Sequence, residues 1–243
     1  MAAILTYHHI DNPPADEKEA NLYVSPRAFE AQMEYLREAK FNVISLDRLR
    51  EGLLGRNPLP QRAVVITFDD GYENNFVNAY PILQRYGYPA TFFITTGRIG
   101  WVGPTDNRHM HADQLRELDA AGMTIGSHTV SHEWLAKIPP EDANYELQDS
   151  KVVLEALLAK PVRWVCYPSG SFNRDIVQMA QKLGYVGGCS VIRDNQVKAS
   201  QLFYLPRVMV MRDTSPMRFR YYFSGLYHFL HARKNRKRWS EYL

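Results

Sequence analysis

Three short stretches of this 243-residue chain gather side chains able to do chemistry, each where a strand should end. The first is Thr67-Phe68-Asp69-Asp70-Gly71. Its neighbouring carboxylates repel each other and are costly to bury unless a cation or an arginine compensates. Taken alone, a solvated turn closed by Gly71 explains the pair as well. The second is Ser127-His128-Thr129-Val130-Ser131-His132. Its two histidines are four apart, a separation that puts both imidazoles on one face of a helical turn, within reach of one metal. HxxxH alone arises by chance on surfaces; beside an acid pair at another strand end it carries more. Two imidazoles and one carboxylate form the ligand set of catalytic metal centres, which keep positions open for water and substrate. The third is Cys166-Tyr167-Pro168-Ser169-Gly170-Ser171-Phe172-Asn173. Pro168 and Gly170 force an irregular backbone before a helix, where unpaired N–H groups can face an anion or oxyanion. By itself this stretch reads as a turn.

The elements that must position these residues alternate. Strands are expected at Ala3–Thr6, Val43–Ser45, Ala63–Phe68, Ala90–Ile94, Thr124–Gly126, Val162–Cys166, Gly187–Val191 and Leu205–Val210. Helices are expected at Pro26–Ala39, Leu46–Leu54, Val77–Tyr86, Ala112–Ala121, Glu141–Leu158 and Arg174–Leu183. Ser25 and Pro26 supply an N-cap and a first helical position. Gly87, Gly122 and Gly184 follow helices where a left-handed cap is expected. Ala63–Phe68 (AVVITF) is apolar and largely β-branched, which suits a strand buried on both faces. This alternation implies an α/β fold, a parallel sheet covered by helices, barrel-like or doubly wound, with chemistry at the carboxyl ends of the strands.

Composition narrows the class. With 45% apolar and 23% charged residues, 14 Gly and 14 Pro, the chain is ordinary globular material and not disordered or repetitive. Cys166 and Cys189 make no disulfide framework and no CxxC zinc site. No secretory signal is expected, because Tyr7, His8 and His9 interrupt the short apolar start, and no run of about 18 apolar residues could span a membrane. The compartment stays open between the cytoplasm and a trimmed exported domain. Seven basic residues and one acid follow residue 217, so the tail carries +6 and residues 1–217 carry −3 of the total +3. The pI of 8.8 therefore belongs to the tail, and nucleic-acid binding is not expected. Residues 1–215 read as the catalytic domain and 216–243 as a basic, aromatic-rich helix or tail. That composition suits either peripheral contact with an anionic membrane or a helix docked on the barrel, and docking is preferred.

The motifs TFDDG, SHTVSH and YPSGSFN, in that order, resemble the polysaccharide deacetylases of carbohydrate esterase family four. Tyr7-His8-His9-Ile10, Tyr23-Val24-Ser25-Pro26 and Ile44-Ser45-Leu46 resemble its permuted branch, which includes poly-β-1,6-N-acetylglucosamine deacetylases. The resemblance covers residues 3–210. It implies a distorted, TIM-like (β/α) barrel of seven or eight strands. It also implies one divalent metal on Asp70, His128 and His132, zinc before cobalt, nickel or manganese, with Asp69 as general base toward the metal-activated water. The oxyanion and substrate would meet the Tyr167-Pro168-Ser169-Gly170 turn, above all a backbone N–H near Ser169. The substrate implied is an N-acetylated glycan or glycoconjugate. In this branch the general acid is the histidine of the N-terminal Tyr-His segment, His8. His9 competes with it, and His228 and His231 keep a smaller share.

Two positions depart from the family pattern. Cys166 stands where an arginine commonly pairs with the catalytic aspartate; Arg207 either supplies that charge or pairs with a structural carboxylate. Ser169 replaces an aromatic residue of the acetyl pocket. These departures motivate a rival reading, a non-catalytic glycan-binding protein with a decayed site. Another rival keeps the metal but acts on a small amide. Tyr72, Trp101, Tyr167 and Phe172 could stack on sugars, although core packing is the default for each.

Overall fold

All six residues of Ala63–Phe68 are buried, as a strand covered on both faces requires. Among the described residues it is one of ten strands: β1 (Ala2–Tyr7), β2 (His9–Ile10), β3 (Tyr23–Val24), β4 (Asn42–Val43), β5 (Ala63–Phe68), β6 (Thr91–Ile94), β7 (Thr124–Ser127), β8 (Trp164–Cys166), β9 (Gly187–Arg193) and β10 (Leu205–Met209). The helices are α1 (Pro26–Glu38), α2 (Leu46–Leu53), α3 (Tyr80–Tyr86), α4 (Ala112–Ala120), α5 (Pro140–Leu158), α6 (Arg174–Lys182), α7 (Pro216–Tyr221) and α8 (Gly225–Tyr242). The structure is a computed structural model and describes residues 2–103 and 107–242. The sheet runs β1-β10-β9-β8-β7-β6-β5-β4, all parallel, and β1 also pairs with β5 from Ala2↔Ala63 to Tyr7↔Phe68. That second pairing closes a seven-stranded barrel, with β4 as an extra strand on β5. The expected distorted (β/α) barrel is the fold observed.

Local chemistry sets the helix ends. Ser25, Ser45 and Asn173 accept the N–H groups of Ala28, Arg48 and Ile176, capping α1, α2 and α6. Gly87 closes α3 in the left-handed conformation, at φ 65°. Helix α1 then turns Phe29, Met33 and Leu36 onto the barrel, each burial contributing about 1.5–3 kcal/mol. Tyr7 meets Phe29 edge-on at 5.1 Å, and Phe68 stacks on Phe92 at 4.8 Å.

Several features differ from the sequence expectation: β4 is Asn42–Val43 rather than Val43–Ser45, and β8 starts at Trp164 rather than Val162. A wide π turn over Asn75–Ala79 precedes α3, so the α-helix proper starts at Tyr80 rather than Val77. β9 continues to Arg193, two residues beyond the expected end. The short pair β2–β3 was not anticipated; it carries His9 away from the barrel strand. The chain after residue 215 forms α7 and α8. Tyr227 and Asn235 are buried, and Asn235 Nδ2 donates to Arg193 O at 2.9 Å, fixing α8 against the end of β9. Leu226, Phe229 and Leu230 stay exposed on α8. Among the described residues no helix is long and apolar enough to cross a membrane.

Candidate active site

Asp69 and Asp70 leave the end of β5, and the Asp69 N–H donates to Tyr7 O of the neighbouring strand at 3.0 Å. Asp70 then takes φ 71°, left-handed backbone that costs a side-chain-bearing residue roughly 1–2 kcal/mol. His128 follows β7, its N–H bonded to Ile94 O. The stretch 128–132 is not the helical turn that HxxxH spacing suggests. Thr129 (φ 65°) and His132 (φ 69°) are both left-handed, and the loop is held from outside. Glu146, buried on α5, accepts the N–H groups of Val130 (2.8 Å) and Ser131 (2.9 Å) and the Ser131 hydroxyl. That clamp turns the loop back on itself and brings the two imidazoles together by a route that helical periodicity does not describe.

Asp70 Oδ1 lies 3.3 Å from His128 Nε2 and 3.3 Å from His132 Nε2. It is buried and has no hydrogen-bond partner among the described residues. The His128 ring is oriented from behind: Nδ1 sits 2.7 Å from Cys166 O, and because a carbonyl only accepts, Nδ1 carries a proton and Nε2 is the ring atom at Asp70. Against the downward push of burial, Cys166 and Asp70 hold this imidazole well above its ordinary value, so the site as it stands favours positive charge beside Asp70. Burial and the neighbouring His128 push the His132 imidazole down to about 4, so its ring presents a lone pair at neutral pH. Ligands about 2.0–2.1 Å from a tetrahedral ion are about 3.3–3.4 Å apart, which is the separation seen here. An orphaned buried carboxylate oxygen and two convergent imidazole nitrogens thus fit a divalent ion.

Behind this cluster Asp69 meets Arg207, from β10. Arg207 Nη1 and Nη2 donate to Asp69 Oδ1 and Oδ2, both at 2.7 Å, and both residues are almost fully buried. The guanidinium also reaches Ser190 O, Thr67 Oγ1 and Cys166 Sγ. Burial pushes the Asp69 carboxyl up, but the Arg207 charge and hydrogen bonds outweigh it and hold the group below the ordinary carboxylate range. Of the two pairings left open for Arg207, the structure shows the one with Asp69. Cys166 leaves room for it at the position where an arginine is expected.

His8 and His9 diverge where β1 ends. His8 lines a cavity of about 380 Å³ together with Asp69, Asp70, His128, His132 and Ser169. Its Nδ1 is buried without a partner among the described residues. His9 is sandwiched between Tyr23 (4.0 Å) and Tyr72 (3.6 Å) and held by Asn74 Nδ2 at 3.0 Å. Burial drives its imidazole down to about 3. His228 is bound to Asp194 Oδ1 at 2.8 Å, and His231 stacks on Tyr227 at 4.1 Å. Neither lines the His8 cavity.

The 167–170 turn narrows to one donor. Tyr167 N–H is taken by Cys189 O and Gly170 N–H by Tyr167 O, and Pro168 has no N–H, which leaves Ser169. Ser169 is itself left-handed, at φ 52°. Gly170 (φ 65°) packs so closely that a Cβ there would lie 2.3 Å from Val191 Cγ2. Tyr72, Tyr167 and Phe172 are core residues, as the default for each suggested, while Trp101 is exposed. The residue that sequence reasoning missed is Glu146. It carries no motif, and a buried acid at an inward position of an amphipathic helix was the one signal available.

A parallel barrel whose strand ends gather two histidines and a carboxylate defines a class: barrel enzymes with a candidate metal centre at the carboxyl face. The polysaccharide deacetylase family model matches residues 56–188, and the chain belongs to that family, hydrolases of carbon–nitrogen bonds. It is 29% identical over 223 residues to YxkH of Bacillus subtilis, named as a polysaccharide deacetylase, covering 92% of this chain and 76% of that one. It is 30% identical over 206 residues to poly-beta-1,6-N-acetyl-D-glucosamine N-deacetylase of Staphylococcus aureus, covering 79% and 69%. The solved structure of Streptococcus pyogenes deacetylase PplD in complex with acetate superposes with a TM-score of 0.84 at 28% identity, over 92% of this chain and 98% of that one.

Proposed function

We propose that residues 1–215 form a metal-dependent N-deacetylase of an acetylated amino-sugar glycan, with 216–243 a C-terminal appendage. The observation that carries this reading is the Asp70–His128–His132 cluster and the Arg207-paired Asp69 sharing one cavity with His8. A divalent ion on Asp70, His128 and His132, zinc by preference, supplies Lewis acidity that acidifies water and polarises an acetyl carbonyl.

The remaining work falls to the chain. Asp69, kept ionised by Arg207, accepts the proton of the attacking water. Ser169 N–H donates to the oxygen on which negative charge develops. His8 gives a proton to the departing amine, a role closed to His9 by its stacked, buried setting. Glu146 acts through the loop it clamps and is a positioning residue.

Two observations weigh against the rivals. The charge lost at Cys166 is supplied by Arg207, which argues against a decayed site. The His8 cavity and a neighbouring cleft share Val191 and Met209 in their linings, an arrangement suited to a chain rather than a small amide. The test is acetate release from chito-oligosaccharide by the metal-loaded protein, abolished by a chelator and by Asp69→Asn. Stoichiometric metal binding without turnover of any acetyl donor would favour the non-catalytic reading.

A further inference from the structure

Val191 and Met209 each face two cavities. One holds His8 and the aspartates. The other, of about 420 Å³, is completed by Arg193, His231, Lys234 and Asn235. Val191 and Arg193 both line the second cavity, in the stretch of β9 where the register with β10 shifts between Cys189 and Arg193. Helix α8 crosses that strand end and brings His231 and Lys234 to the opposite wall. The second cavity therefore has three cationic or protonatable side chains in its lining and no acid.

The neighbouring groups leave those charges available. Asp194, beside Arg193 in sequence, is turned onto His228 Nδ1 at 2.8 Å and Asn235 Nδ2 at 3.4 Å. Neither Arg193 nor Lys234 forms an ion pair among the described residues. His231 Nδ1 lies 2.9 Å from Tyr227 O, which can only accept, so Nδ1 carries the proton and Nε2 is left for a ligand. The ring is held flat against Tyr227, interplanar angle 20°. The catalytic cavity next door mixes both signs, with Asp69, Asp70 and Glu19 beside Arg98 and the histidines. A wall with no acid beside it favours a substrate whose negative charge is displaced from the reacting acetyl group.

We propose that this second cavity is an anion subsite, and that the glycan deacetylated here bears a carboxylate or phosphate that seats between Arg193, His231 and Lys234. The proposal rests on the deacetylase reading and narrows its substrate class to acidic glycans. The C-terminal helix then becomes part of the substrate groove, and its basic residues near the barrel mouth select substrate charge.

The test compares neutral chitopentaose with the same pentamer carrying one C6 carboxylate or one 6-O-phosphate, using metal-loaded full-length protein. The wild type should prefer one or both anionic pentamers by about tenfold in kcat/KM at low salt, and the preference should shrink at high ionic strength. In Arg193→Gln/Lys234→Gln the ratio of anionic to neutral kcat/KM should fall to near one. Whichever pentamer shows the larger ratio identifies carboxylate or phosphate as the source. Calorimetric affinities of the three pentamers for the Asp69→Asn protein give the same ratio without turnover. If no pentamer releases acetate but this affinity ratio still collapses in the charge variant, the deacetylase reading fails and the subsite stands. A wild-type ratio at or below one, or a ratio the double variant leaves intact, overturns the subsite.

Discussion

Replacing Arg207 by Met should remove more than a catalytic accessory. The guanidinium makes two 2.7 Å bonds to Asp69 inside the barrel, and both partners are almost fully buried. Taking it away leaves a desolvated carboxylate with no compensating charge, a loss of about 3–5 kcal/mol. For a chain of this size each kcal/mol moves the unfolding midpoint by about 2–4 °C, so Tm should fall by about 6–20 °C. The unpaired carboxyl would regain the upward push of burial, hold a proton more readily and serve less well as a base, lowering kcat by about 100-fold or more. The assay is a double-mutant cycle read by thermal unfolding and acetate release. Adding Asp69→Asn to Arg207→Met should recover at least half of the lost stability, since no buried charge then remains, and none of the activity. A Tm within 2 °C of wild type in Arg207→Met, or a double variant as unstable as the two single losses summed, would refute the reasoning.

Three further outcomes follow from the same geometry. Glu146→Gln should weaken zinc affinity by about 10–100-fold while kcat at saturating zinc changes little, because the acid orients the ligand loop without touching the reacting atoms; an unchanged zinc Kd would count against the clamp. His8→Ala should lower kcat by about 100-fold or more, whereas His9→Ala should cost about 1–3 kcal/mol of stability through its two lost stacking contacts; full activity in His8→Ala removes the acid from the N-terminus. His9 also sets a pH dependence. Its folded value near 3 lies below the unfolded 6.5, so the unfolded chain binds the extra proton between them and stability drains away as pH falls below 6.5, by about 2 kcal/mol at pH 5. Urea midpoints of His9→Phe against wild type at pH 7 and pH 5 measure that difference, and parallel curves would contradict it.

Much of this arrangement was written locally. The apolar run at 63–68, the serine and asparagine caps and Gly87 each act within a few residues, which is why strands and helices could be placed from sequence with ends shifted by at most three positions. What local reasoning missed is held at long range. The loop 128–132 reads as a helical turn by spacing, yet two left-handed residues and a carboxylate on α5 define it. Arg207 and Asp69 are 138 positions apart; the sequence offered their pairing as one of two options, and the fold selects it. The tail presented a charge sum and a set of aromatics. Only the buried Tyr227 and Asn235 reveal which side of α8 faces the barrel, and hence which basic residues reach its mouth.

The claim underlying the rest is that Asp70, His128 and His132 grip a single divalent ion. Anomalous diffraction at the zinc edge from crystals grown with zinc tests it directly. The account predicts one strong peak per chain, about 2.0–2.2 Å from a carboxylate oxygen of Asp70 and from the Nε2 atoms of both histidines. Zinc bound elsewhere in a fully occupied crystal, with those three side chains bonded to one another or to solvent, would contradict it.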